Sequence, residues 1–234
     1  KVLETRGQKA GSWNNNKHLV IYDGIPVMHV RGDKAVITEN LSIYGVKRVE
    51  FLKGPASALY GTGAFFGVVN IVSDELEIEG AKTKARLSYG TGNENQENIL
   101  FMSKNDHAKT SINFAHQQKD ASESFIGDGS KASESYNNLY FDNEQNYFIN
   151  AKHKIHSGVL NGISMGIIYS KRTTGLGTGW MGDDKTAPND FVVWENYIPY
   201  LKYDTVLSSK WKLESYFKHH RDVESSEHHV ADPS

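Results

Sequence analysis

After Asp74 the chain alternates apolar and polar residues with a period of two, over segments separated by polar stretches rich in Asn, Ser and Lys. This period predicts strands that have two different faces. Each segment is close to the ~10 residues that a tilted strand needs to cross a bilayer. We predict seven strands, at residues 82–90, 95–105, 108–119, 146–156, 160–171, 192–204 and 208–221.

The third predicted strand shows the alternation clearly. One of its faces carries Ile112 and Phe114, and the other carries Ser111, Asn113 and Gln117. The fourth, fifth and seventh strands repeat this arrangement, whereas the second and sixth are ambiguous. The apolar face suits lipid and the polar face suits water, as in the wall of a membrane barrel.

The connections between these strands also alternate in length. "NDHA", "HSGVLN" and "DTVLSS" are tight, whereas residues 120–145 and 172–191 and the tail after Asp222 are long and polar; "TGNEN" is a short exception. Tight turns at one end and long loops at the other are typical of transmembrane barrels. A soluble β-sandwich or barrel alternates in the same way, so periodicity alone leaves both classes open.

The pattern of the first 73 residues predicts a small domain of mixed secondary structure. "LVIY" and "KRVEFL" are short strand-like runs, and "DGIPV" between them favours a turn. The stretch "GPASALYGTGAFFGVVNI", residues 54–71, follows with four glycines. Its G-x-G-x-x-x-G spacing is one residue longer than the dinucleotide fingerprint, and it contains no Gly-Lys-Ser/Thr.

We therefore interpret this glycine-rich stretch as a place where backbones pack closely, and not as a phosphate-binding loop. The predicted packing motif consists of Gly54, Pro55, Tyr60, Gly61, Gly63, Gly67 and Asn70.

Composition narrows the function classes further. The 26 Lys and Arg residues nearly balance the 28 Asp and Glu residues, so no nucleic-acid partner is expected. The absence of cysteine excludes disulfides and thiolate metal sites. Ser57 lacks the G-x-S-x-G context, and no H-E-x-x-H motif occurs, so we expect neither an enzyme nor a cofactor. Both ends look truncated, which leads us to expect a fragment.

The segment "RVEFLKGPASALYGTGAFFGVVNIVS" closely resembles the plug-domain signature of TonB-dependent outer-membrane receptors. Upstream, "ETRGQ" and "LVIYDGIPV" match the same signature in order. The resemblance implies an α+β plug domain followed by antiparallel transmembrane β-barrel strands, part of a barrel of about 22 strands. Residues 1–75 would be the C-terminal half of the plug, and 76–234 the first seven or so barrel strands.

For function, the resemblance implies import of a scarce nutrient across the bacterial outer membrane, with a ferric siderophore or similar iron chelate as the leading substrate. Haem, cobalamin, other metal complexes and oligosaccharides are alternatives, and a soluble nucleotide-binding or adhesion domain is the alternative of a different class. The implied partners are outer-membrane lipid and the inner-membrane energy-coupling protein TonB, which would bind a segment missing from this chain.

The resemblance also implies roles for particular residues. Arg6 and Arg48 match plug arginines that pair with acidic residues of the barrel wall, a role that suits a bidentate guanidinium. The alternative for Arg48 is an exposed ion pair with Glu50. Contacts to a bulky anionic chelate would come from residues 7–17 and 28–40. Candidates there are Trp13, His29, Arg31 and Lys34, each of which can equally be a solvated loop residue.

Histidines cluster near the end of the seventh predicted strand. Adjacent His219 and His220 point to opposite faces of a strand, so they cannot share one metal without a bend. With no fixed ligand spacing, we prefer a polar external loop to a metal or haem site. The weak candidates are His219, His220, His228 and His229.

Overall fold

The computed structural model describes residues 4–5, 8–9, 17–29, 34–35, 41–61, 63–120, 143–175 and 191–227. Several residues singled out above lie outside these ranges, and Lys34 is described only by its backbone. The ones outside are Arg6, Trp13, Arg31, His228 and His229.

The N-terminal unit, residues 4–73, is built from short strands and one helical turn in its described part. Its main sheet has the order β4-β3-β8-β7, in which β3 and β8 run parallel. No helix among the described residues has the length and apolar character needed to cross a membrane. The elements are β1 (Glu4–Thr5), β2 (Gln8–Lys9), β3 (His18–Tyr22), β4 (Ile25–Pro26), β5 (Met28–His29), β6 (Lys34–Ala35), β7 (Val46–Lys53), α1 (Ser57–Tyr60) and β8 (Gly67–Ser73).

Strand β3 is the centre of this unit, because it is buried at every position between β4 and β8. A strand covered on both faces reads as a continuous apolar run, as "LVIY" does. The core of the unit joins this strand to the loop and strand that follow α1. Its members are Leu19, Val20, Ile21, Met28, Ala56, Ala64 and Val68.

The glycines of the stretch 54–71 serve two different purposes. A Cβ added at Gly67 would lie 2.6 Å from the carbonyl oxygen of Leu52, so this glycine allows β7 and β8 to approach closely. A Cβ at Gly61 would meet nothing within 4 Å, but its φ of +79° lies in the left-handed region that favours glycine. One position therefore serves packing and the other serves a turn.

Most of the remaining described chain forms one large antiparallel sheet in which β9 to β15 each pair with their neighbours in the sequence, while β16 pairs with β14. Every predicted strand overlaps an observed one. The observed strands are β9 (Gly80–Gly90), β10 (Glu94–Lys104), β11 (Ala108–Lys119), β12 (Glu144–Ile155), β13 (Ile163–Gly175), β14 (Phe191–Ser208), β15 (Trp211–Lys218) and β16 (Arg221–Glu227).

β15 and β16 are two parts of one row of the sheet. Both pair with β14 in the same register, Lys218 opposite Tyr200 and Arg221 opposite Tyr197. The ladder is interrupted at Pro199, which has no amide hydrogen to donate, although its carbonyl accepts from the backbone N–H of His219. The described sheet therefore has seven rows, as the sequence predicts.

One face of the sheet lies against the N-terminal unit, and this explains the two ambiguous strands. In β10, Leu100 and Met102 are buried on this inward face while Ile99 and Phe101 are exposed on the other. β14 likewise carries a buried Ile198 on its inward face. These two strands are ambiguous in the sequence because part of the inward face packs against a protein core.

From one strand to the next, the outward apolar residues are displaced along the strand direction from the positions that the hydrogen-bonded pairing joins. Following the ladder from Ile99 of β10, through each paired strand, leads to Arg221 in the last row. The large exposed apolar residues on the outward face of that row are instead Trp211, Leu213 and Phe217, nearer the start of β15. A drift of about one residue per strand corresponds to a strand tilt of roughly 35°, which is the tilt of membrane barrels.

Candidate functional site

The N-terminal unit contacts the inward face of the large sheet through an apolar patch at its centre. Tyr22 and Ile25 are fully buried there, and the rings of Tyr22 and Phe148 lie 5.8 Å apart. Burial, with a smaller effect of neighbouring Asp23, raises the pKa of the Tyr22 phenol. The patch comprises Tyr22, Ile25, Val27, Ala115, Phe148, Ile168, Ile198 and Tyr200.

Next to this patch, the side-chain ammonium of Lys152 in β12 contacts three oxygen atoms of residues 23–75. Its Nζ lies 2.6 Å from Glu75 Oε1, 2.8 Å from Ser73 Oγ and 3.1 Å from Asp23 Oδ2. An ammonium group has three hydrogens, so these three acceptors satisfy it fully. The side chains of Lys152 and Asp23 are only 9% and 6% exposed, which makes this a buried ion pair.

The turn that presents Asp23 follows directly from the sequence. Asp23 and Gly24 join β3 to β4 with φ values of 52° and 86°, both in the left-handed region. Asp-Gly is a preferred pair for such a two-residue hairpin turn. The carboxylate of Asp23 also accepts from the backbone N–H and the hydroxyl of Ser73, at 3.0 and 2.7 Å. The turn is therefore fixed to the end of β8 as well as to the sheet.

Residues 74–79, which we call the acidic connector, link β8 to β9 and are held by lysines. Asp74 pairs with Lys84 at 2.8 Å, and the carboxylate of Glu77 lies 2.8 Å from Lys47 and 3.1 Å from Lys109. Hydrogen bonds from these two lysines, first Lys47 and then Lys109, lower the pKa of Glu77 to about 2. The connector is thus attached to several strands of the sheet at once.

Comparison with known proteins identifies this arrangement. The TonB-dependent Receptor Plug Domain family matches residues 2–68, which cover most of the N-terminal unit. Residues 2–68 therefore match the plug domain of the TonB-dependent receptors. The unit is accordingly the plug, and the large sheet is called the wall from here on.

Individual relatives agree with this assignment. The chain is 29% identical over 89 residues to a vitamin B12 transporter, BtuB, of Vibrio vulnificus, an alignment that covers 38% of this chain and 14% of BtuB. The pyoverdine receptor FpvA of Pseudomonas aeruginosa has a similar fold, with a TM-score of 0.69 and 15% identity over 95% of this chain and 32% of FpvA.

The siderophore receptor PirA of Pseudomonas aeruginosa also shares the fold, with a TM-score of 0.57 and 14% identity, over 89% of this chain and 34% of PirA. The chain thus spans about a third or less of the relatives that it matches. The plug domain and these relatives place it in the bacterial outer membrane.

The upper part of the plug contacts the last row of the wall. The upper end of the wall is the one at which β9 ends, and the lower end is the one at which β9 begins. Lys218 donates to the carbonyl of Pro26 at 2.7 Å, and His29 Nδ1 lies 3.2 Å from Asp222. The predicted ligand residue His29 therefore faces the wall in this structure, with 19% of its side chain exposed.

Arg48 makes its described ion pair within the plug, to Glu50 at 2.7 Å, with the two side chains 53% and 47% exposed. Asn70 donates to the same carboxylate. The hydrogen bond from Arg48, followed by that from Asn70, lowers the pKa of Glu50. This is the ion pair considered above as the alternative; pairing of Arg48 with a wall carboxylate stays a prediction.

Sequence reasoning missed the lysines that attach the plug. It looked for plug arginines and wall acids, whereas the most buried described ion pair joins a plug carboxylate, Asp23, to a wall lysine, Lys152. The signal was present as lysines recurring at inward positions of the lower wall. These are Lys82, Lys84, Lys104, Lys109, Lys152, Lys154, Lys202 and Lys212, and Lys218 is a further inward lysine, higher in the last row.

The lower interface is not tightly filled. A cavity of about 760 Å³ separates one side of the plug sheet from β12–β15. Lys154 lines it without an ion pair among the described residues, whereas Lys202 pairs with Glu214 at 2.7 Å. The buried Tyr200 hydroxyl, also on its lining, has no described hydrogen-bond partner. Plug and wall therefore meet through one apolar patch and separate polar contacts.

The histidine cluster shows no described metal geometry. His220 Nε2 lies 2.9 Å from Asn196 Oδ1 on the inward side, and both His219 and His220 lie between β15 and β16. Within the described ranges, no three His, Cys, Asp or Glu side chains are grouped to hold a metal ion.

Proposed function

We propose that the chain is part of a transporter that imports a scarce nutrient across the outer membrane, with a ferric siderophore or similar iron chelate as its leading substrate class. The fold neighbours support this class, because they include a receptor bound to pyoverdine and a siderophore receptor. Cobalamin is the second candidate, because the sequence relative BtuB is a vitamin B12 transporter.

The observation that carries the proposal is the position of the plug on the inward face of the wall. A plug that fills a barrel blocks the route through it, so transport requires plug and wall to separate along some path. Much of the described interface consists of ion pairs such as Lys152 with Asp23, next to a cavity of about 760 Å³. Such polar, partly open interfaces are typical of parts that move relative to each other.

For the complete receptor we propose a closed barrel of about 22 strands, of which residues 76–234 supply the first seven rows. Residues 1–75 would then be the C-terminal half of the plug. The inner-membrane protein TonB would act on a plug segment upstream. Arg6 and Arg48 are proposed to pair with wall carboxylates elsewhere in that barrel. The protein would carry out transport without catalysis.

We propose that the lower end of the wall, where the turns are tight, lies in the periplasm and that the upper end lies outside the cell. Candidate ligand contacts at the upper end remain a proposal, supported by residue chemistry: aromatic and cationic groups suit a chelate. They are Trp13, His29, Arg31 and Lys34.

Growth on single nutrient sources tests the proposed function. The gene is deleted and restored in cells supplied with one ferric chelate, haem or cobalamin at a time, with and without TonB. Growth on at least one ferric chelate should require both the gene and TonB. Unchanged growth on every ferric chelate would contradict the leading substrate class, and growth independent of TonB would contradict the mechanism.

A further inference from the structure

A second cavity lies in the upper half of the interface, between plug residues 41–44 and the inward face of β9–β12. Its volume is about 470 Å³, which is within the ~300–1,000 Å³ range of small-molecule sites. Tyr44 and Phe148 provide aromatic surface on its lining. We call it the upper cavity.

The polar lining of the upper cavity is dominated by amides. Asn98 is 7% exposed, and none of the described residues hydrogen-bonds its side chain. Gln96 and Gln117 both donate to the carboxylate of Glu94, at 2.7 and 3.1 Å. Their side-chain amide nitrogens are thereby held in place, which leaves their carbonyl oxygens available as acceptors. Amides in this arrangement recognise hydroxyl and amide groups.

Asn146, on the same lining, shows that this surface is short of hydrogen-bond partners. Its Nδ2 donates to Glu144, but its buried Oδ1 has no described partner. A buried acceptor without a donor is destabilising. A donor entering the cavity would satisfy this oxygen after a small turn of the amide.

The charges around the upper cavity do not suit a multiply charged anion. Glu94 already accepts from two amides, and the carboxylate of Glu144 is paired with Arg172 at 3.0 Å. Arg86 is the one lysine or arginine on the lining, and no described residue forms an ion pair with it. His116, also on the lining, has its Nδ1 2.7 Å from Glu97. Most inward lysines of the wall lie in the lower half, where plug carboxylates such as Asp23 pair with one of them. Lys119 and Lys171, at the upper ends of their strands, do not line the cavity.

We propose that the upper cavity binds an amide- and hydroxyl-bearing part of the transported molecule, and that this molecule has low net charge, neutral or singly negative. Asn98 and Gln96 supply hydrogen bonds, and Arg86 accommodates at most one anionic group. This inference rests on the proposed function and narrows its substrate class from ferric chelates in general to weakly charged ones.

The test measures uptake by the full-length receptor in cells that lack every other route. The probes are radioactive iron as a neutral trihydroxamate chelate, as ferric citrate and as a trianionic triscatecholate chelate, together with labelled cyanocobalamin, which is uncharged and rich in amides. A neutral probe should be taken up and the triscatecholate should not. Binding of the transported probe to the receptor is measured as well, and Asn98→Leu and Gln96→Leu should each raise the Kd for this probe about tenfold.

The matched control is Asn95→Leu, which changes an amide on the outward face of the same strand and should leave the Kd unchanged. Asn98→Ala provides a second variant if the leucine variant does not fold. Uptake of the triscatecholate, or an unchanged Kd in both cavity variants, would overturn this inference and leave the transporter intact. Uptake of none of the four probes would instead contradict the proposed function, and the inference with it.

Discussion

Replacing Lys152 by methionine removes the central contact between plug and wall. Methionine keeps the length of the side chain but loses the three hydrogen bonds of the ammonium, which leaves Asp23 buried with no cation. Removing one partner of a buried ion pair typically costs about 3–5 kcal/mol. Glu75 is 24% exposed and lies 3.7 Å from Lys109, so it is partly compensated. We therefore expect about 3 kcal/mol, the lower end of this range.

This loss should appear as easier local opening of the Asp23 turn, which the contact with Lys152 holds against the wall. About 3 kcal/mol corresponds to a factor of roughly 100 in the opening equilibrium. Hydrogen exchange of the full-length receptor in detergent measures it, at the amide of Ser73, which donates to Asp23, and at the amide of Asp23, which donates to Ile71. Both amides should exchange about 100-fold faster in Lys152→Met.

Lys154→Met is the matched control, because Lys154 faces the same way on the same strand without a described ion pair. The double variant Lys152→Met with Asp23→Asn should recover part of the lost protection, because it removes the uncompensated charge. Equal exchange in Lys152→Met and Lys154→Met would refute the role assigned to this contact.

Three further predictions concern the connector, the plug and the membrane face. The pKa of Glu77 is lowered to about 2, so its stabilisation of the acidic connector is fully present above the ordinary pKa near 4.5 and is lost as pH falls from there to about 2. Relative to its value at higher pH, amide hydrogen exchange of the connector should rise over this interval in wild type and not in Glu77→Gln. Gly67→Val should destabilise the plug by more than about 2 kcal/mol, measured by denaturation, because its Cβ would meet the carbonyl of Leu52, and a smaller loss would argue against close packing. Phe114→Arg should destabilise the receptor folded into vesicles by about 2–4 kcal/mol, and Val223→Arg by about 0–1 kcal/mol, because the strand tilt places the two residues at different depths in the membrane. Equal effects of the two variants would contradict that placement.

The strands of the wall were predictable because each alternates with a period of two over its own length. The less clear strands were those with apolar residues on both faces, such as Ile99 and Leu100 of β10. Their inward residues are buried by a protein unit that the local pattern does not reveal. Local periodicity reports that a face is apolar, but not whether lipid or another part of the chain covers it.

The attachment of the plug was less predictable, because its partners are far apart in the sequence. Lys152 and Asp23 belong to different parts of the fold, and only the register of the wall brings them together. The Asp-Gly turn was predicted from its residues, whereas the role of its carboxylate depends on β12. The upper cavity depends in the same way on amides from separate strands, such as Asn98 and Asn146.

The central claim is that this plug must leave the wall for a nutrient to pass, and a reversible crosslink between them tests it most directly. A Cβ at Gly45 of the plug would lie 3.0 Å from Cγ of Asn113 in the wall, which puts paired cysteines at these positions within reach of a disulfide. Because the φ of +76° at Gly45 strains any side chain there, the reduced double variant must first show uptake. The measurement is the initial uptake rate of a transported chelate through the full-length Gly45→Cys/Asn113→Cys receptor. Uptake should stop on oxidation and return on reduction, while wild type is unaffected. Equal uptake by the oxidised and reduced double variant would contradict the account.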